Sequence, residues 1–172
     1  MNTQIRPGTN VESLVGMLAS KDGMVRQEAR KSLVALGKPA VPSLAQALQT
    51  SELDQVRWEA AKALGAIGDT ESIPTLVKAL EDSDGDVTWL AAEALRKFKK
   101  TAWPQLLEGL LKRNGNDSVL LRKGAHHVLR NQKEDGFNDL LATLQNALES
   151  NSAPESTLVA ASDILKRIKA KA

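Results

Sequence analysis

Two interleaved series of apolar segments recur along this chain, and together they restrict its fold more than any other feature. The first series is VESLVGML from Val11, VPSLAQAL from Val41, IPTLVKAL from Ile73, WPQLLEGL from Trp103 and FNDLLATL from Phe137. Each opens on a large apolar residue with Leu three and seven positions later, and the openings lie 30, 32, 30 and 34 residues apart. Between them run VRQEARKSL from Val25, VRWEAAKAL from Val56, VTWLAAEAL from Val87, LRKGAHHVL from Leu121 and TLVAASDIL from Thr157, spaced by 31, 31, 34 and 36 residues. Ala29, Ala60, Ala91, Ala125 and Ala161 share one register in this second series, and Leu33, Leu64, Leu95, Leu129 and Leu165 lie four residues further on. Apolar residues at i, i+3, i+7 or at i, i+4, i+8 line one face of a helix, so both series are helical. The chain therefore consists of five copies of a two-helix unit. A hairpin of about thirty residues cannot bury its own apolar face and must share a core with its neighbours. The expected fold is all-α, a solenoid of five stacked helical hairpins.

The punctuation between segments agrees. Pro42, Pro74 and Pro104 fall in the first turn of the first helices, where a missing N–H costs nothing. Gly37 and Gly68 follow second helices, where a left-handed residue is wanted. Asp22, Asp54 and Asp86 stand within three residues before the second helices, placed to cap their free N–H groups or to favour the positive dipole end. The acidic run EDSDGD reads as a capped, solvated turn; a calcium loop needs about a dozen residues of regular ligand spacing. These breaks set the units at about 11–40, 41–72, 73–102, 103–136 and 137–172, forming one repeat domain over 11–172 behind a loose N-terminal segment, 1–10.

Composition removes most chemistry. Zero Cys excludes disulfides, thiolate catalysis and Cys-ligated metals. His126 and His127 are the only histidines; adjacent on a helix, they point about 100° apart and cannot build a metal site between them. No nucleophile–base pair, P-loop or Gly-rich phosphate motif is present, so neither an enzyme nor a cofactor is expected. Basic and acidic residues balance, 13 to 13 over the first hundred positions and 10 to 8 over the rest, which disfavours a nucleic-acid stripe. The local positive bias of Lys112, Arg113, Arg122, Lys123, Arg130 and Lys133 is that of a solvated helix face. With no apolar run near the roughly 20 residues of a membrane span and no apolar secretory segment at the start, the expected location is the cytoplasm.

The stretch VRWEAAKALGAIGDTESIPTLVKALEDSDGDV, Val56 to Val87, resembles the HEAT-like repeat of the phycobilisome-lyase type. Its V-R-x-x-A-A-x-A-L-G-x-I-G-D core followed by I-P-x-L-x-x-A-L carries the resemblance. VRQEARKSLVALG in unit one and the rest of unit three match well; units four and five match through their Leu and Ala positions, and unit four departs at Gly124, His126 and His127. The resemblance implies a right-handed superhelix with first helices on the convex side and second helices lining the concave side. It also implies a binding scaffold, since the repeat is widespread and says little about its ligand.

On the second helices, the residue two positions after each opening lies about 200° from the core stripe. That stripe carries Gln27, Trp58, Trp89 and Lys123, then Lys31, Lys62, Glu93 and His127, then Lys97; with Glu59 these form the expected partner-binding ladder. Trp58 and Trp89 occupy successive rungs, and an aromatic pair off the core stripe either anchors a partner or roofs the core. Trp103 instead takes the place of Val41 and Ile73, and is expected in the core. The functional expectation is a non-enzymatic module binding a protein or peptide. The alternatives are a nucleic-acid-binding relative of HEAT-like DNA glycosylases, which use concave Trp and acidic residues, and a bilin-handling protein stacking its ligand on the two Trp. The sequence leaves partner identity and oligomeric state open.

Overall fold

The computed structural model describes residues 10–112, 119–149 and 154–170. Apart from Asn10, the segment expected to be loose lies outside the described residues. The helices are α1 (Val11–Met17), α2 (Gly23–Leu36), α3 (Val41–Thr50), α4 (Asp54–Ile67), α5 (Ile73–Ala79), α6 (Gly85–Phe98), α7 (Trp103–Lys112), α8 (Val119–Leu129), α9 (Asn138–Glu149) and α10 (Pro154–Ala170). Three short 3-10 turns, Lys38–Ala40, Thr70–Ser72 and Lys99–Ala102, lead into α3, α5 and α7. No strand occurs among the described residues. The fold is an all-α solenoid of helical hairpins, in two compact units, Met1–Lys97 and Phe98–Ala172.

Helix ends follow local chemistry. Asn10 accepts from the Ser13 N–H at 2.8 Å and Asp22 from the Met24 N–H at 2.8 Å, satisfying donors that the first turn leaves free. The cap of α6 is Asp84, not Asp86: its carboxylate accepts from the N–H groups of Asp86 and Val87, both at 3.0 Å. The helix starts at Gly85, so Asp86 already lies in its first turn. Asp54 is the first residue of α4 and takes the other of the two expected roles, favouring the dipole's positive end. Gly68 closes α4 in the left-handed region at φ 70°. Lys99 (φ 51°) and Asn131 (φ 63°) adopt positive φ just beyond α6 and α8. Lys99 bears a Cβ where a glycine would be unstrained.

In the first unit, α1 packs on α2 and α3 on α4, while α1, α3 and α5 stack in one layer and α2 with α4 in the other. The five register alanines are all fully buried, as are Leu33, Leu64, Leu95 and Leu129. Small side chains let second helices approach closely. A Cβ on Gly65 would lie 2.7 Å from the Ala94 Cβ, so α4 and α6 meet where only glycine fits.

In the second unit, α10 packs along both α9 and α7, and α8 packs on α9. Trp103 is buried as expected, its ring edge-on to Phe137 at 5.8 Å, and its indole N–H donates to Gln132 at 2.8 Å. These are the opening residues of consecutive first-series segments. Unit five shifts its register: Phe137, Leu141 and Leu144 are buried, whereas Leu140 is only half-buried. Arg167 of α10 donates to Asp139 of α9 at 2.8 Å and to the Gly136 carbonyl. The guanidinium holds the Asp139 carboxyl below its ordinary value, so this tie is complete above the usual carboxylate range and is lost as the pH falls through the depressed value.

Three substitutions separate these contributions in urea denaturation. Trp103→Ala should cost about 3 to 5 kcal/mol through its cavity and its orphaned Gln132 partner. Gly65→Ala should cost about 1 to 3 kcal/mol by forcing α4 and α6 apart. Lys99→Gly should gain about 0.5 to 1 kcal/mol by relieving the left-handed backbone; a loss instead would show that its φ carries no strain.

Candidate functional site

The face of α4 turned from the core is fixed by what α4 buries. Val56, Ala60 and Leu64 pin the helix inward, leaving Asp54, Trp58 and Lys62, four residues apart, on the outer stripe. Trp58 is half-buried, and the Lys62 Nζ stands 4.4 Å from its ring centroid, a cation over the aromatic face. On α6 the equivalent Trp89 is 54% exposed. Neither indole occupies the core, in contrast to Trp103.

Glu59 does not belong to the ladder. It is 3% exposed and receives Arg30 Nη1 at 2.5 Å and Arg26 Nε at 3.6 Å, two arginines of α2. The helical wheel misplaces it because α4 has neighbours on its flanks as well as beneath it. A residue next to the core stripe then faces another second helix rather than solvent.

The other ladder residues are placed individually. Gln27 is half-buried, and Lys31 is exposed with its Nζ 2.8 Å from Glu28. Glu93 pairs with Arg96 at 2.9 Å, and Lys97 donates to the Gly65 carbonyl at 3.3 Å. On α8, in the second unit, Lys123 is exposed and His127 half-buried, while His126 Nε2 lies 3.3 Å from Glu149.

The arginines of the V-R pairs carry more than the sequence suggests. Arg26 donates to the carbonyls of Ser20 and Lys21, and Arg57 donates to those of Ser51 and Glu52, so each closes the turn before its own helix. Each also reaches a carboxylate of the next repeat: Arg26 to Glu59, and Arg57 to Asp82 in a fork at 2.8 and 2.9 Å. Asp82 holds the Arg57 guanidinium above its ordinary range, with Asp54 and Asp84 adding to the field. The acidic turn is thus occupied from within, Asp82 by Arg57 and Asp84 by the cap of α6. In the third repeat Thr88 replaces the arginine and bonds the Asp82 and Asp84 carbonyls.

Around Trp58 opens a cleft of about 300 Å³, lined by Arg26, Asp54, Gln55, Trp58, Asp84 and Asp86. Of the expected ladder only Trp58 contributes. The aspartates were legible only as caps; their convergence on one tryptophan needs the stacking of α2, α4 and α6. A second groove, about 450 Å³, runs along α1 and α3 and includes Val15, Ala19, Ala47 and Leu53.

The family model for HEAT repeats matches residues 41–130, more than half of the chain. The chain belongs to the HEAT-repeat family. Its structure is similar to a chain in the solved complex of CpcE and CpcF of phycocyanin lyase from Nostoc sp. PCC7120. The TM-score is 0.58 and the identity 22%, over 88% of this chain and 95% of that one. The match to HEAT repeats bears out the HEAT-like reading, and the likeness to the lyase chain is one of fold. A comparison with curated proteins finds no match. No helix among the described residues is long and apolar enough to cross a membrane.

Breaking the buried pair is the test of its role. Glu59→Ala should cost about 3 kcal/mol, because Arg26 and Arg30 lose a carboxylate they share out of solvent. Glu93→Ala, which removes a more exposed pair, should cost no more than about 1 kcal/mol. Equal losses in thermal or urea unfolding would contradict the assignment of Glu59 to the packing between α2 and α4.

Proposed function

We propose that this HEAT-repeat protein is a non-catalytic interaction module that binds a protein partner on its second-helix face, with Trp58 and Trp89 as anchors. The observation that carries the reading is the pair of indoles at one register of adjacent repeats, one beside an open cleft and the other 54% exposed. Burying half-exposed tryptophan is a common source of binding energy at interfaces. The fold neighbour is described as one member of a complex of two proteins, CpcE and CpcF, which supports a protein partner. That complex is a phycocyanin lyase, so a bilin stacked between the indoles is the competing reading. A nucleic-acid reading meets three aspartates at the cleft, which repel phosphate.

The test is affinity capture from the native host, followed by titration of the identified partner. Trp58→Ala with Trp89→Ala should cost about 1 kcal/mol of stability per site and weaken binding at least about tenfold. Loss of binding on Ala47→Arg with the tryptophan variant unaffected would move the site to the groove of α1 and α3. Visible absorbance in the protein purified from its host would favour the bilin.

A further inference from the structure

The cleft beside Trp58 has a charge pattern that its internal pairings do not exhaust. Arg26 and Arg30 share Glu59, and Arg57 is held by Asp82. That leaves Asp54, Asp84 and Asp86 on the cleft wall, none with an ion pair among the described residues, so three arginines and the Lys62 ammonium at the ring stand against five carboxylates. Asp84 spends one oxygen on the α6 cap, and Asp54 one on the Gln55 N–H; the Asp86 carboxylate has no hydrogen-bond partner among the described residues. Arg26 also donates to the Gln55 side-chain oxygen at 2.8 Å, which holds Arg26 against the wall.

The tryptophan itself already holds a cation. Lys62, one turn along α4, places its ammonium 4.4 Å from the indole centroid. The ring therefore provides an electrostatic seat that an exposed side chain of the same protein fills. A planar guanidinium suits this cleft better than an ammonium, because it stacks on an aromatic face while its N–H groups fork to carboxylates. The volume, about 300 Å³, takes one long side chain with water rather than a folded element.

We propose that the cleft between α4 and α6 binds an arginine side chain from a basic segment of the protein partner, the guanidinium stacking on Trp58 and pairing with Asp54 and Asp86. Lys62 is the internal competitor that occupies the ring when no partner is bound. The proposal rests on the second-helix face being the binding face and names the chemistry that this face selects.

The probe is a flexible Gly/Ser peptide carrying two arginines, compared by calorimetry and tryptophan fluorescence with the same peptide carrying citrulline, a neutral isostere, or glutamate. The arginine peptide should bind below about 1 mM, and the citrulline and glutamate peptides at least about tenfold more weakly. Asp54→Asn with Asp86→Asn, and separately Trp58→Ala, should each weaken the arginine peptide about tenfold. Lys62→Met should tighten it at least about threefold, since the competitor is gone. Circular dichroism melts confirm that each variant folds. No binding at about 1 mM, equal affinity for arginine and citrulline, or weaker binding by Lys62→Met overturns the proposal. If the arginine peptide fails while partner binding still depends on both tryptophans, the second-helix reading stands and only the cation assignment falls. If the peptide depends on the aspartates but not on Trp58 or Trp89, the aromatic ladder falls instead.

Discussion

No hairpin of this chain can bury its own apolar face, and the rest of the structure follows from how neighbours supply the missing cover. The second helices do so by close approach. Alanine at one register is fully buried in every repeat, and within the first unit the second helices come so close that at Gly65 the separation leaves no room even for a methyl group. Such contacts gain dispersion energy from many atoms at short range and tolerate little change in volume.

Close approach has an electrostatic consequence. Side chains on the flanks of a second helix are enclosed by the next one, so charges there must be paired or the fold would carry their desolvation uncompensated. Arg26, Arg30 and Glu59 meet this demand between α2 and α4, and Arg57 with Asp82 between the second and third repeats. The same arginines close the turns behind them, so one residue type joins local turn geometry to the contact between repeats. What is left over functionally is the outer stripe, where Trp58 and Trp89 stand clear of the core and the aspartates of the helix starts gather beside one of them.

The resulting surface separates two kinds of tryptophan by their surroundings. Trp103 lies in the core with its N–H satisfied by Gln132 and its ring against Phe137. Trp58 has a lysine over its ring and an aspartate-lined cleft beside it. The first is a packing element of its compact unit; the second presents a polarised ring to whatever enters the cleft.

Periodicity alone determined the helices, their pairing and their cores, because an apolar stripe has one energetic solution on a helix whatever its neighbours are. It placed Trp103 inward and Trp58 and Trp89 outward, and glycine punctuation fixed the left-handed end of α4. Tertiary structure decided what a single stripe cannot encode. Glu59 lies beside the stripe in sequence yet is enclosed in space, since α2 covers that flank of α4. Asp84 rather than Asp86 caps α6, because the helix begins two residues earlier than the apolar pattern indicates. The cleft at Trp58 draws residues from three helices spaced about thirty residues apart, and only the stacking of those helices brings their charges to one place. A repeat sequence specifies each rung through local periodicity, whereas a site between rungs depends on distances set by packing.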